Sequence, residues 1–256
     1  MANTVNKVIS IAKAEVGYLE KKSNKYLDEK TKNAGSNNYT KYGRDMHKLY
    51  PSVMDFPAYW CDAFVDWCFY KAYGKANAKG LLGGNFDDYT VASAQLYKNK
   101  GAWHTKNPKA GDQIFFKNSI RINHTGLVYK VDSEYVYTIE GNTSSGSSVV
   151  SNGGCVAKKK YSLNNSRIAG YGRPKYDETS APYTKITKSS SKTAIKWMQK
   201  KLNACYTGKL DDLEVDGVWG TKTQKILEAY WVQLGWNKGT YCGSKTCNAL
   251  WKGKKK

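Results

Sequence analysis

No stretch of this 256-residue chain approaches the ~20 consecutive apolar residues a membrane-spanning helix needs. Polar or charged residues are interspersed throughout Met1 to Glu20. This stretch lacks a basic-then-apolar layout and a small-residue cleavage site, so it does not read as a secretory signal. Synthesis in the cytoplasm is therefore expected. Acidic side chains are scarce, 21 Asp and Glu against 41 Lys and Arg. Soft metal ligands are also few and badly spaced. The three histidines (His47, His104, His124) lie far upstream of the Cys205, Cys242 and Cys247 group, which leaves no fourth local ligand for zinc. Three cysteines fall in each part of the chain (61, 68, 155 and 205, 242, 247), so neither part can pair all of its own; buried free thiols are the expectation for most.

What the chain has in excess is positive charge, +20 in all. Half of that sits in residues 181–256, fewer than half as many positions as precede them. Such a surface seeks polyanions: nucleic acid, anionic lipid or the teichoic-acid-rich wall of a Gram-positive cell. Charge alone does not choose among these. With 13% aromatic residues, a non-enzymatic binder of nucleic acid or wall polymer is the reading any enzyme assignment must displace.

The Ser- and Thr-rich stretch Asp177 to Thr193 reads as a linker between a mixed domain, 1–176, and a short helical one, 194–256. In the first, Val5, Val8, Ile9, Ala12 and Val16 recur at helical spacing behind Thr4. Residues 21–45 lack periodicity and read as a long loop. A second helix is expected to start near Cys61 and stop at Gly74, and a third to span Val91 to Asn99. After Pro108 the period becomes that of strands, in 112–116, 125–131, 135–140 and 167–174. Helices followed by a meander of strands predict an α+β domain with an antiparallel sheet. In the second domain, Gly220, Thr223 and Leu227 recur as Gly243, Thr246 and Leu250, and the apolar stripes fit a small all-α three-helix bundle.

Cys61 sits where a loop feeds a helix. The unpaired N–H groups and partial positive charge of a helix start favour a thiolate, and a nearby imidazole makes such a thiolate an activated nucleophile. Tyr59 and Trp60 beside it are candidates to line a substrate groove. His124 heads one strand; Glu140 and Asn142 close the next. An antiparallel pair joined by the Asp132–Glu134 turn brings these ends together, giving an imidazole an oxygen-bearing partner that fixes its tautomer. Each residue alone has an ordinary structural reading, and for Cys61 alone a small core residue is the favoured one; the combination is what points to acyl transfer. Cys68, two turns along the helix, reads as core, and His47 and His104 as structural or surface residues.

The segments YWCDAFVDWCF, KAGDQIFF, NHTGLVYKV, YTIEGNTS and IAGYGRP, in that order, resemble the CHAP family of cysteine, histidine-dependent amidohydrolases/peptidases. The resemblance implies a papain-like α+β fold and cleavage of amide bonds in peptidoglycan. It implies Cys61 as nucleophile, His124 as general base, Glu140 as the residue orienting the histidine, and Asn142 as a further polar member. Some members of the family bind calcium through an acidic loop before the cysteine. Here LYPSVMDFPAYW offers only Asp55, far short of the six or more oxygens a hard cation takes, so neither a metal nor any other cofactor is expected.

Downstream, AIKWMQKKLN and VDGVWGTKTQKIL resemble the peptidoglycan-binding domain found beside many wall hydrolases, with Asp216, Gly217, Trp219, Gly220 and Thr223 as its signature. The closing KGKKK reads as a solvated basic tail. The whole resembles a phage or prophage endolysin, with a bacterial autolysin as the near alternative. It is expected to be a monomer that acts on the bacterial wall, and on its anionic polymers, after release or external application. The expected bond is the N-acetylmuramoyl-L-alanine amide, with a bond in the stem peptide or cross-bridge as the alternative.

Overall fold

The computed structural model describes residues 3–146, 148–150, 152–177 and 181–255. The apolar spacing behind Thr4 forms α1 (Val5–Glu15), with Val8, Ile9 and Ala12 buried. The segment after it is a loop as far as Thr40. Lys21 organises that loop from within, its buried ammonium donating to the carbonyls of Leu19 (2.6 Å) and Lys30 (2.9 Å). The loop is shorter than expected, because α2 begins at Lys41 (Lys41–Leu49). This helix buries only Tyr42, Gly43 and Met46, too narrow a stripe to show as a period. The Thr40 hydroxyl caps it by accepting from the Gly43 N–H.

α3 (Cys61–Leu82) starts at Cys61. Its expected stop is a break instead: Gly74 adopts φ 75°, and helix resumes beyond it. α4 spans Thr90–Asn99. The strands are β1 (Trp103–His104), β2 (Gln113–Lys117), β3 (Ile122–Val131), β4 (Tyr135–Thr143), β5 (Cys155–Ser162) and β6 (Ile168–Gly172). They form one antiparallel sheet in the order β1-β6-β2-β3-β4-β5. β5 escapes a hydrophobicity pattern because Lys159 points inward, its ammonium donating to the Ser144 carbonyl at 2.8 Å.

Alternation along the strands divides the sheet into two faces. Phe115, Leu127, Ile139 and Val156 join the helices in one core. Ile114, Phe116, Val128, Val136, Tyr161 and Tyr171 form a second core on the other face.

The chain separates into two units, Met1–Asp177 and Glu178–Lys256. The second contains α5 (Lys192–Cys205), α6 (Thr221–Gln233) and α7 (Ser244–Trp251). It is not all-α, because β7 (Lys185–Ile186) pairs with β8 (Cys242–Gly243). Most of the segment read as a linker also belongs to this unit. Ala181 and Ile186 lie in its core, Ser190 accepts from the Thr187 N–H, and Ser191 caps α5. Serines that cap a helix have the same composition as serines in a flexible joiner. Residues 178–180 of that segment, and Lys256 of the basic tail, lie outside the described residues. Among the described residues no helix is long and apolar enough to cross a membrane.

Candidate active site

Cys61 is the first residue of α3, and no side chain caps that end. The first intrahelical bond runs from the Phe64 N–H to the Trp60 carbonyl, so the N–H groups of Cys61, Asp62 and Ala63 are unused by the helix. The thiol itself is buried.

His124 lies on β3, on the sheet face away from the helices, where it stacks on Phe116 with ring centroids 5.8 Å apart. Its Nε2 is 2.9 Å from Glu140 Oε2, and both side chains are fully buried. Glu140 also accepts from the hydroxyls of Thr138, Tyr161 (3.1 Å) and Thr143 (3.5 Å). This many donors fix the direction of the carboxylate. In the neutral ring, with Nε2–H donating to Glu140, the proton-free nitrogen is Nδ1, which has no hydrogen-bond partner of ordinary geometry. Cys61 nevertheless bears on the imidazole. Burial pulls the His124 pKa down, but the Cys61 side chain and the Glu140 carboxylate more than offset this and push it up to about 9.

The raised value sets an expected pH dependence. Imidazolium persists from its ordinary 6.5 up to about 9, so the stability gained by pairing is complete below 6.5 and is lost as pH rises through 9. If this imidazolium protonates a leaving amine, kcat/KM falls along an alkaline limb near pH 9. A limb at 6.5–7 in the pH–rate profile would show that the pairing is absent.

The remaining expected site residues divide. Tyr59 is 60% exposed and free to meet a ligand, whereas Trp60 is 1% exposed. Trp60 stacks on Tyr42 and donates its indole N–H to Glu20 at 2.9 Å, so it packs inward beside Cys61 and does not line a groove. Asn142 is buried at φ 53°, a region asparagine tolerates, and its side-chain oxygen accepts from the Gly153 N–H at 3.2 Å. Glu140 meets His124 Nε2 at hydrogen-bond distance. His47 is structural: its Nδ1 meets the Met54 carbonyl at 2.6 Å.

Two glycines that sequence reasoning passed over shape the site. A Cβ on Gly126 would sit 2.5 Å from Glu140 Cγ, and one on Gly141 would sit 2.6 Å from Phe64 Cβ and 2.8 Å from the Trp60 ring. Gly126 makes room for the carboxylate to reach His124, and Gly141 lets β4 approach the start of α3. An isolated glycine inside a strand signals a close approach of this kind.

Burial raises the pKa of Cys68, and of Cys155 and Cys205, which donate to the Thr143 and Leu250 carbonyls. Cys242 and Cys247 face each other at 3.3 Å inside the second unit. Among the described residues no group of three or more His, Cys, Asp or Glu is placed to hold a metal ion.

In the second unit, Asp216 accepts from the Val218 N–H (2.8 Å) and from Gln199 (2.7 Å), while Gln199 accepts from the Gly217 N–H (2.9 Å). Gly217 has φ 80°, and a Cβ there would lie 2.9 Å from the Lys192 carbonyl oxygen. Thr223 donates to the Val218 carbonyl, Gly220 precedes α6, and Trp219 is buried. The signature residues build the turn that leads into α6.

A model of the CHAP domain matches residues 53–142, which contain Cys61, His124, Glu140 and Asn142. Among solved structures, Ly7917, and Ly7917 with the hydrolyzing product of MDP, each align over 67% of this chain at 17% identity, with TM-scores of 0.39 and 0.38. The alignments span 62% of those chains, less than two thirds of their length. No curated protein matches the chain.

Proposed function

We propose that the protein is a peptidoglycan hydrolase that cleaves an amide bond of the bacterial wall by cysteine–histidine catalysis, the bond being the N-acetylmuramoyl-L-alanine amide. The observation that carries this reading is the buried His124, held at Nε2 by Glu140 and influenced on its other side by a thiol at an uncapped helix start. The CHAP match over the same residues supports it.

In the proposed reaction, the proton of Cys61 passes to Nδ1 of His124, giving the imidazolium that persists up to about pH 9, and the thiolate attacks the amide carbonyl. The oxyanion forms beside the free N–H groups of the helix start, the Cys61 N–H among them. Imidazolium then protonates the leaving amine, the C–N bond breaks, and water, deprotonated by the same imidazole, releases the acyl group from sulfur. Glu140 keeps the imidazole in the required tautomer and stabilises its charged form.

The second unit is proposed to hold the enzyme on the wall, aided by the +10 charge of residues 181–256. Tethering a catalyst to an insoluble substrate raises its local concentration. Digestion of purified walls, with mass analysis of the fragments, tests the first claim. Stem peptides freed from intact glycan at alanine support an amidase; peptides cut internally would move the reading to an endopeptidase; unaltered walls would refute both. Pull-down of residues 178–256 with walls tests the second. Binding at low salt that weakens near 1 M, where screening shortens to ~3 Å, is expected, and a fragment that stays in the supernatant at low salt would contradict it.

A further inference from the structure

Behind the candidate nucleophile, on the helix-facing side of the sheet, buried polar side chains join the residue after Cys61 to the residue after His124. Gln113 of β2 stands at the centre. Its Nε2 donates to Asp62 Oδ1 at 3.0 Å and to Thr125 Oγ1 at 3.1 Å. Its Oε1 accepts from the Tyr97 hydroxyl at 3.0 Å. Asp62 Oδ2 accepts from Ser93 at 2.6 Å, and Thr125 donates its own proton to the Ile114 carbonyl at 2.8 Å. Because the Thr125 proton is committed, that oxygen can only accept from Gln113. The amide therefore has one workable orientation, with nitrogen toward two acceptors and oxygen toward the phenol. All five side chains are buried.

We infer that Gln113 is a positioning residue: by holding Asp62 of α3 and Thr125 of β3 on a single amide group, it sets the separation between Cys61 and His124. Cys61 and Asp62 share a peptide unit, as do His124 and Thr125. The tie therefore closes a ring in which the gap between thiol and imidazole is the one unbonded step. Alternation puts Thr125 and His124 on opposite faces of β3, so Gln113 acts through the backbone and touches no reacting atom. Apolar side chains of matching shape would fill the same space with nearly equal or better stability. A fully satisfied polar network adds directional geometry instead, and proton transfer depends on geometry. The inference rests on the assignment of Cys61 and His124 as nucleophile and base.

Thr125→Val tests it, since it keeps the shape of the side chain and removes the acceptor; Thr125→Ser restores the hydroxyl. Should Thr125→Val fold poorly, Gln113→Met removes the tie from its centre. Two readouts are needed: kcat and KM on soluble wall fragments, and the NMR titration midpoint of His124, one of three histidines in the chain. Thr125→Val is expected to lose about tenfold or more in kcat with KM little changed. Its His124 midpoint should move from about 9 toward 6.5, and Thr125→Ser should behave as the parent. A folded Thr125→Val or Gln113→Met with parental kcat and midpoint overturns the inference. Cys61→Ala separates this from the assignment beneath it, because there the midpoint must also fall. If it falls in Cys61→Ala but not in Thr125→Val, only the positioning role is lost. If it is unmoved in Cys61→Ala, the thiol–imidazole pairing fails and the inference fails with it.

Discussion

Folded Cys61→Ala is expected to clear walls at least about ten thousand-fold more slowly than the parent, and His124→Ala to fall by a similar factor. Nucleophile and base act as one unit in acyl transfer, so losing either costs about as much as losing both. The double variant should then be no worse than the single ones, which a general loss of structure would not produce. Cys61→Ala is the cleaner of the two, because it removes one sulfur from a packed helix start. His124→Ala empties the space against Phe116 and leaves the Glu140 carboxylate buried without its imidazole. Turbidity clearing, with circular dichroism confirming the fold, measures both. Near-parental clearing by folded Cys61→Ala would remove the cysteine mechanism.

Glu140→Ala is expected to cost about a hundred- to a thousand-fold in kcat, less than the loss of His124, because nucleophile and base remain. It should also destabilise the first unit. The hydroxyls of Thr138, Tyr161 and Thr143 lose a shared acceptor, and a buried donor left unsatisfied costs about 1–3 kcal/mol. Glu140→Gln separates the two effects. The amide keeps the volume and can accept from Nε2, but it lacks the charge that favours imidazolium, so the alkaline limb should move below 9 while the melting temperature changes less. Asn142→Ala should cost less than Glu140→Ala, since Glu140 meets the imidazole at 2.9 Å while the Asn142 side-chain oxygen accepts from the Gly153 N–H. A silent Glu140→Ala beside an inactive Asn142→Ala would reverse the roles.

Much of the site's placement was legible in the sequence, because it follows from where elements begin and end. A helix starting at Cys61, a strand headed by His124 and a returning strand that ends past Glu140 require only periodicity and a short turn to be brought together. The distinction between Glu140 and Asn142 came from the family resemblance and is not legible in periodicity. It depends on the left-handed turn at Asn142 and on the space at Gly126, which let the carboxylate pass. Trp60 was misread as a groove residue because its burial depends on Tyr42 and Glu20, both distant in sequence. β5 was hidden by an inward lysine, α2 by its narrow stripe, and the start of the second unit by serines that cap rather than join. The Gln113 tie has no local signature, since its partners come from α3, β3 and α4. Contacts that close over long sequence separations are the part a one-dimensional pattern omits.

The most direct test of the central claim is alkylation of the native protein with limiting iodoacetamide at neutral pH, with each of the six cysteines read by peptide mass mapping and residual wall clearing measured on the same samples. Cys61, though buried like Cys68, Cys205, Cys242 and Cys247, should be modified first because the His124 imidazole stands within reach of its proton, while burial raises the pKa of the part-exposed Cys155; activity should fall in proportion to the fraction of Cys61 modified. Full wall clearing by protein in which Cys61 is completely alkylated would contradict the account.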